Sequence, residues 1–265
     1  MVDFMFEALR SVVVSDKPQH VIVGTPADAA KSSTAASSAG VERRAPGPAR
    51  AELITAAERL FAERGIEAVS LREITREAGQ RNTTSLQYHF GNREGLLRAI
   101  VDKHVAATSL RRNALLDHLL SRGNVTLREA SALLVQPLVA KLSDDDGGPQ
   151  FLQIAAELVN RSEQLIDPDE PLGALIYDEG GSIDRWSTIV EGLMPPHTAG
   201  PPLHRRFAAV RFTHLELGRR ARVAPSASLP LFTSQLVDLV AALLGSPLSE
   251  ETERLLMERE REVNR

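Results

Sequence analysis

The chain has 265 residues and no cysteine, with 43% hydrophobic and 25% charged residues and a formal net charge of −4. This length and apolar share allow one large helical unit or two domains with a core of their own, and the lack of cysteine excludes disulfides, thiolate metal sites and thiol redox sensing. No apolar run is long enough to span a bilayer, and Asp3 and Glu7 precede any basic residue, unlike the start of a secretory leader, so the cytoplasm is the expected compartment and no membrane partner is expected.

Residues 1–48 are predicted to be a disordered extension: Thr25 to Ser38 is a run of small residues with little to bury, and Pro46-Gly47-Pro48 follows it. Residues 49–101 then read as four helix starts in close succession. Leu53, Ile54, Ala57, Leu60 and Phe61 recur at three- and four-residue steps, the stripe of a helix with one buried face. Gly65 ends that helix and Ile66 folds back as an apolar clasp. Ser70 with Glu73 three residues on is a capping box, placing a second helix near Leu71, and Gly79 turns the chain after Ile74 and Ala78. Asn82 to Phe90 is the third helix, with Leu86 and Phe90 facing inward one turn apart. Its other face, Thr83, Thr84, Ser85, Gln87, Tyr88 and His89, is crowded with donors and acceptors, which suits a helix laid in a major groove far better than a core. Asn92 caps a fourth, longer helix from Arg93.

These residues resemble the DNA-binding head of the TetR family of bacterial regulators, whose usual pattern ends in Leu-Tyr-x-His-Phe, two spacer residues, then Lys-Glu and a leucine. Here the chain has Leu86-Gln87-Tyr88-His89-Phe90, Gly91-Asn92, then Arg93-Glu94-Gly95-Leu96. The resemblance covers residues 50–101, and beyond them only length and helicity agree. Two departures stand out. The turn Ala78-Gly79-Gln80-Arg81-Asn82 is polar and one residue longer than the family's Ala-Gly-Val-Ser, which should shift the start of the reading helix. Gln87 stands where many relatives have tyrosine, and glutamine can bond adenine bidentately, so a changed operator is expected.

The resemblance implies a homodimeric, ligand-responsive transcriptional regulator, a repressor by default, that sets the third helix of each subunit in successive major grooves of a palindromic operator in double-stranded DNA. Arg81, Asn82, Thr84 and Gln87 are the expected readers of base edges, Thr83 and Ser85 could serve either role, and Arg72, Tyr88, His89 and Arg93 are expected on phosphates. Arg43, Arg44 and Arg50 could form a flexible basic arm reaching the minor groove or a phosphate, or simply a solubilising linker. Charge is segregated accordingly. Residues 41–112 hold 13 Lys and Arg against 9 Asp and Glu, whereas residues 113–265 hold 15 against 22. A basic head on an acidic body fits a protein that offers one end to phosphate; chance variation on solvated helix faces is the alternative if charge is taken alone.

Residues 102–248 read as a helical effector-binding and dimerisation domain, making the whole chain all-α. The fourth helix should continue as a lever toward Leu119, closed by Gly123. Thr126 with Glu129 starts the next, running to Leu142 with a kink at Pro137. Pro149 opens a helix containing Phe151, Ile154 and Leu158. Short helices are expected around Leu172 to Tyr177 and Ile183 to Leu193, then two strong ones, Leu203 to Arg222 and Leu229 to Leu244, which resemble the family's dimerisation pair. The second carries more apolar surface than a solvent-facing helix should, although it could instead cover its own subunit's core. Residues 249–265 form a charged, solvated C-terminal helix.

An effector pocket is implied by the resemblance alone. Phe151, Ile154, Leu158, Tyr177, Trp186, Phe207 and Phe212 are candidate linings, each equally explicable as core. With few aromatics in the body, a small apolar, acyl-like effector is favoured. No cofactor or metal is expected, because His204 and His214 lie ten residues apart and point in different directions on a helix, and Asp144 to Asp146 lacks the alternating ligands of a calcium loop. Gly180-Gly181-Ser182 lacks the strand-turn-helix frame of a nucleophile elbow, and no acid, base or nucleophile set suggests an enzyme. The competing function is a helical protein-interaction or small-molecule carrier module with a vestigial or architectural head. Sequence-selective DNA binding would separate the two.

Overall fold

The computed structural model describes residues 47–161, 173, 180–223 and 228–263. Among the described residues the regular elements are ten α-helices and one 3-10 turn, in agreement with the all-α reading. Of the extension, residues 1–46 lie outside the described part, and Pro48 is already the first residue of a helix.

Three helices build the head: α1 (Pro48–Arg64), α2 (Leu71–Glu77) and α3 (Thr84–Phe90). The apolar stripe of α1 is buried as expected, Leu53 and Ala57 completely. Gly65, at φ +86°, closes α1 by donating its N–H to the Phe61 carbonyl at 2.8 Å, and Ile66 tucks fully inside. A side chain would be strained at that φ. The expected capping box starts α2: Glu73 N–H donates to Ser70 Oγ at 3.2 Å, and the Glu73 carboxylate accepts from Ser70 N–H at 2.8 Å.

The helix that follows, α4 (Arg93–Ser121), is shared between head and body. Asn92 Oδ1 caps it by accepting from Gly95 N–H at 2.8 Å. Its first turns bury Leu96, Leu97, Ile100 and Val101 in the head, and its last bury Leu116 and Leu119. At the standard rise its 29 residues span about 44 Å.

The body is α5 (Leu127–Val139), α6 (Gly148–Arg161), α7 (Ser182–Glu191), α8 (Arg205–Val223), α9 (Leu229–Gly245) and α10 (Glu250–Val263). The expected capping box at Thr126 and Glu129 is present. α5 was expected to run to Leu142; instead α-helical geometry ends at Val139, two residues past Pro137, and Ala140–Ser143 tightens into a 3-10 turn. Proline lacks the N–H that would bond the previous turn. The short helix expected at Leu172 to Tyr177 falls outside the described residues apart from Gly173.

The body is organised around α6 against α8, with α9 on α5, α7 wedged between α4 and α5, and α10 burying nothing. Trp186 is wholly buried on α7 and donates its indole N–H to the Ala130 carbonyl at 2.9 Å. The α6–α8 crossing depends on Gly218, where a Cβ would stand 2.5 Å from the Ala156 Cβ and 3.0 Å from the Leu152 carbonyl oxygen. His214, also on α8, is buried and donates through Nδ1 to the Val210 carbonyl at 2.8 Å. Burial pushes its pKa down to about 4, with the Arg112 charge adding to the effect. No single helix among the described residues is long and apolar enough to cross a membrane.

Two outcomes follow from this packing. Gly218→Ala should overpack the α6–α8 crossing and destabilise the protein by about 1–3 kcal/mol, read as a lower midpoint in urea; an unchanged midpoint would mean the helices can part freely. His214 stays neutral in the fold while its unfolded counterpart protonates near pH 6.5. Stability should therefore be complete above pH 6.5 and fall as pH drops toward 4, by up to roughly 3 kcal/mol. His214→Asn should flatten that slope in urea titrations across the same range, and an unaltered slope would assign it to other groups.

Candidate nucleic-acid interface

The third helix is seven residues long and held by Leu86, which is completely buried, and by Phe90. The Arg50 guanidinium lies 5.2 Å from the centre of the Phe90 ring. Arg50 therefore belongs to α1 and to the packing of the head, not to a free arm; Arg43 and Arg44 lie outside the described residues. Cation–ring contacts of this kind add modestly to such a seat.

The turn before α3 shows how the extra polar residue is accommodated. Gly79 takes φ +67°, Gln80 N–H donates to the Thr75 carbonyl at 3.0 Å, and the Gln80 side chain donates to Glu52 of α1 at 3.0 Å. The longer turn is thus strutted onto α1, and α3 begins at Thr84 rather than at the expected Asn82. Asn82 does not continue the helix because its Oδ1 accepts from the Thr84 N–H at 2.6 Å and from the Thr84 hydroxyl. This side-chain brace stands in for the missing cap, since the N-cap residue Thr83 makes no side-chain cap bond.

That brace divides the residues expected on bases. Asn82 and Thr84 are exposed but bonded to each other. Arg81 and Gln87 are exposed and, among the described residues, hold no side-chain hydrogen bond. Thr83 and Ser85 are half-buried.

The residues expected on phosphates divide as well. Arg72 is exposed in the first turn of α2, and Tyr88 is 84% exposed with its ring edge-on to His89 at 5.1 Å. His89 is half-buried. Arg93 departs from the expectation: its guanidinium turns inward, donating to the Ile66 carbonyl and lying 6.0 Å from the centre of the Phe61 ring. The start of α4 sits beside the α1–α2 connection, so the nearest acceptor is that carbonyl. Arg76, exposed in the last turn of α2, is a further cation on the same helix pair; its place in the α2 charge pattern was the signal that could have picked it out. α2 itself is held by Glu73, whose carboxyl is pushed down to about 2 by the Ser70 N–H, the Arg64 guanidinium and the Ser70 hydroxyl.

The candidate effector linings sit in the body. Phe151, Ile154 and Leu158 share one buried face of α6, and Phe151 stacks on His104 at 4.6 Å. Trp186 is committed to its bond with Ala130. Phe207 and Phe212 are half-buried on α8, five residues apart and so on different sides of it, and Tyr177 lies outside the described residues. On α9, Leu231 is 71% and Leu239 46% exposed, and on α8 Leu215 is 36% exposed.

Comparison with known proteins bears on the head. Residues 53–100 match the family of bacterial regulatory proteins called tetR. No curated protein matches the chain. Similar solved structures include the secondary repressor NalD of the MexAB-OprM multidrug efflux pump in Pseudomonas aeruginosa, at 19% identity over 76% of this chain and 98% of that one, with a TM-score of 0.47. The transcriptional regulator FadR of Bacillus subtilis, in complex with stearoyl-CoA, is 16% identical over 75% and 98% with a TM-score of 0.46. A transcriptional regulator from Rhodococcus sp. is 18% identical over 75% and 96% with a TM-score of 0.45.

The Asn82 brace makes a checkable statement. Asn82→Ala should loosen the start of α3, costing the head about 1 kcal/mol and speeding hydrogen exchange at the Thr84 amide. An unchanged Thr84 exchange rate would leave Asn82 available to bases as first expected.

Proposed function

We propose, from the match of residues 53–100 to the tetR family of bacterial regulatory proteins, that the chain is a cytoplasmic, homodimeric, ligand-responsive repressor of a palindromic operator. The observation that carries this reading is the outer face of α3: a helix anchored by one buried leucine presents Gln87 and Tyr88 to solvent, with Arg81 exposed in the turn before it and Arg72 and Arg76 exposed on α2, its partner in the helix pair. A short, rigidly seated helix with polar side chains outward and cations at its rim suits the major groove.

In this arrangement Gln87 and Arg81 read base edges, Gln87 toward adenine and Arg81 toward guanine. Thr84, Thr83 and Ser85 lie close enough to the same face to add contacts. Arg72, Tyr88 and His89 fix the register on phosphates, while Arg93 and Asn82 act one step back by holding the helix pair in shape. The helices α8 and α9, which carry the exposed leucines Leu215, Leu231 and Leu239, meet their copies across a two-fold axis. Such a dimer would set its two copies of α3 on successive turns of one DNA face. Residues 49–101 form the DNA-binding domain and 102–248 the effector and dimer domain, joined by the unbroken α4. The effector is a small apolar molecule admitted among α6, α7 and α8, and it releases DNA only to the extent that it binds the released state better.

Gln87→Ala should weaken operator binding by about 1–3 kcal/mol while leaving affinity for random DNA nearly unchanged, measured by paired titrations at one salt concentration. Equal losses on both DNAs would move Gln87 off the bases.

A further inference from the structure

We propose that Glu58 is a positioning residue that sets which half-site spacing the dimer accepts, by locking the reading head to the body through Lys103, His104 and Asp146. This rests on the reading of the protein as a dimeric reader of two half-sites.

Glu58 belongs to α1 of the head, yet its side chain is only 2% exposed, which carboxylates rarely tolerate unless paired. The pairing comes from outside the head's own three helices. Oε1 accepts from His104 Nε2 at 2.9 Å, and both carboxylate oxygens lie 3.1 Å from Lys103 Nζ. Lys103 also donates to Asp146 Oδ1 at 2.8 Å, in the loop that leads into α6. The backbone of that loop closes over the carboxylate at Gly147, where a Cβ would stand 2.3 Å from Glu58 Oε2. The His104 ring then stacks on Phe151 of α6. One carboxylate therefore joins α1, α4 and the entry to α6.

A single junction is a pivot, but there is a second. Glu157, farther along α6, accepts from the Ile66 N–H at 3.1 and 3.2 Å, and Arg161 bridges Glu157 at 2.5 Å and Glu67 at 2.7 Å. The two junctions grip α1 and its exit about 10 Å apart along the helix. Rotating the head on the body breaks one of them. At the Glu58 end the break would strand a buried charge; at the Glu157 end the partly exposed pairs give more easily.

The geometry of DNA turns this rigidity into selectivity. Each base pair added between half-sites carries the second one about 3.4 Å along the duplex and about 35° around it. Heads locked at one angle fit one spacing, and heads free to swing fit several. None of Glu58, Lys103, His104, Asp146 or Glu157 lies on the outer face of α3, so spacing and half-site sequence are separable properties.

The test uses the full chain. A random duplex pool is selected with the wild type, and the resulting half-site is rebuilt in duplexes whose spacers differ by one base pair, alongside a duplex carrying one half-site. The wild type should prefer one spacing by about tenfold or more over its neighbours, a gap of about 1.4 kcal/mol. Glu58→Gln and Glu157→Gln should keep the half-site sequence and the single-site affinity but bind the neighbouring spacings within about threefold of the best, a difference of under about 1 kcal/mol. Folded, dimeric variants that retain the full wild-type spacing preference would overturn the proposal. Should Glu58→Gln fail to fold, Lys103→Met and Glu157→Gln decide it by the same readout. A wild type that selects no paired half-sites would instead overturn the dimeric reading on which the proposal rests.

Discussion

A helix of seven residues with a polar outer face does not persist in water alone, because nucleation is unfavourable and too few bonds follow to offset it. α3 exists only because Leu86 is taken wholly into the head core, Phe90 is seated beneath Arg50, and the helix start is braced by Asn82. What the proposed function asks of α3, an exposed Gln87 held in a fixed relation to Arg81 in the preceding turn, depends on that seat. A looser helix would carry the same side chains but would lose their mutual geometry, and base discrimination depends on that geometry.

The seat is in turn only as well placed as the head on the body. α4 contributes to both cores, so the two share a continuous element, and the buried Glu58 carboxylate and the Glu157 contacts add two points of fixation to α1. Buried ion pairs contribute little net stability compared with apolar packing, but breaking one is expensive. They therefore suit a junction that must hold one angle. α6, which carries Phe151 against His104 and Glu157 against Ile66, is the body helix through which the proposed effector would reach the head.

Much of the head was legible because its boundaries are set by local chemistry. Ser70 with Glu73, Asn92 and Gly65 all act within one turn of their own position, and each does in the fold what its neighbourhood in the chain suggests. The departures are long-range. Gln80 reaches Glu52, 28 residues away, and Arg93 reaches Ile66, 27 residues away, so no local pattern announces either. An exposed asparagine suits a base contact and a local brace equally, and only the geometry shows that the Asn82 oxygen is already engaged with Thr84. For Glu58 a signal was present: it lies four residues after Ile54 and three before Phe61, on the apolar stripe itself. A charge in that register is a buried charge, and it asks for a partner. In the body, the aromatic residues were visible but their use was not, since stacking on His104 or bonding to Ala130 requires the tertiary fold.

Whether the outer face of α3 reads sequence on paired half-sites is decided by selecting fragments of the source genome with the purified full-length protein near physiological salt and footprinting those retained. A dimeric reader should enrich fragments sharing a palindrome, protected symmetrically on one face of the duplex. Retention of fragments with no common sequence, governed by salt alone, would contradict it and leave the head an architectural DNA binder.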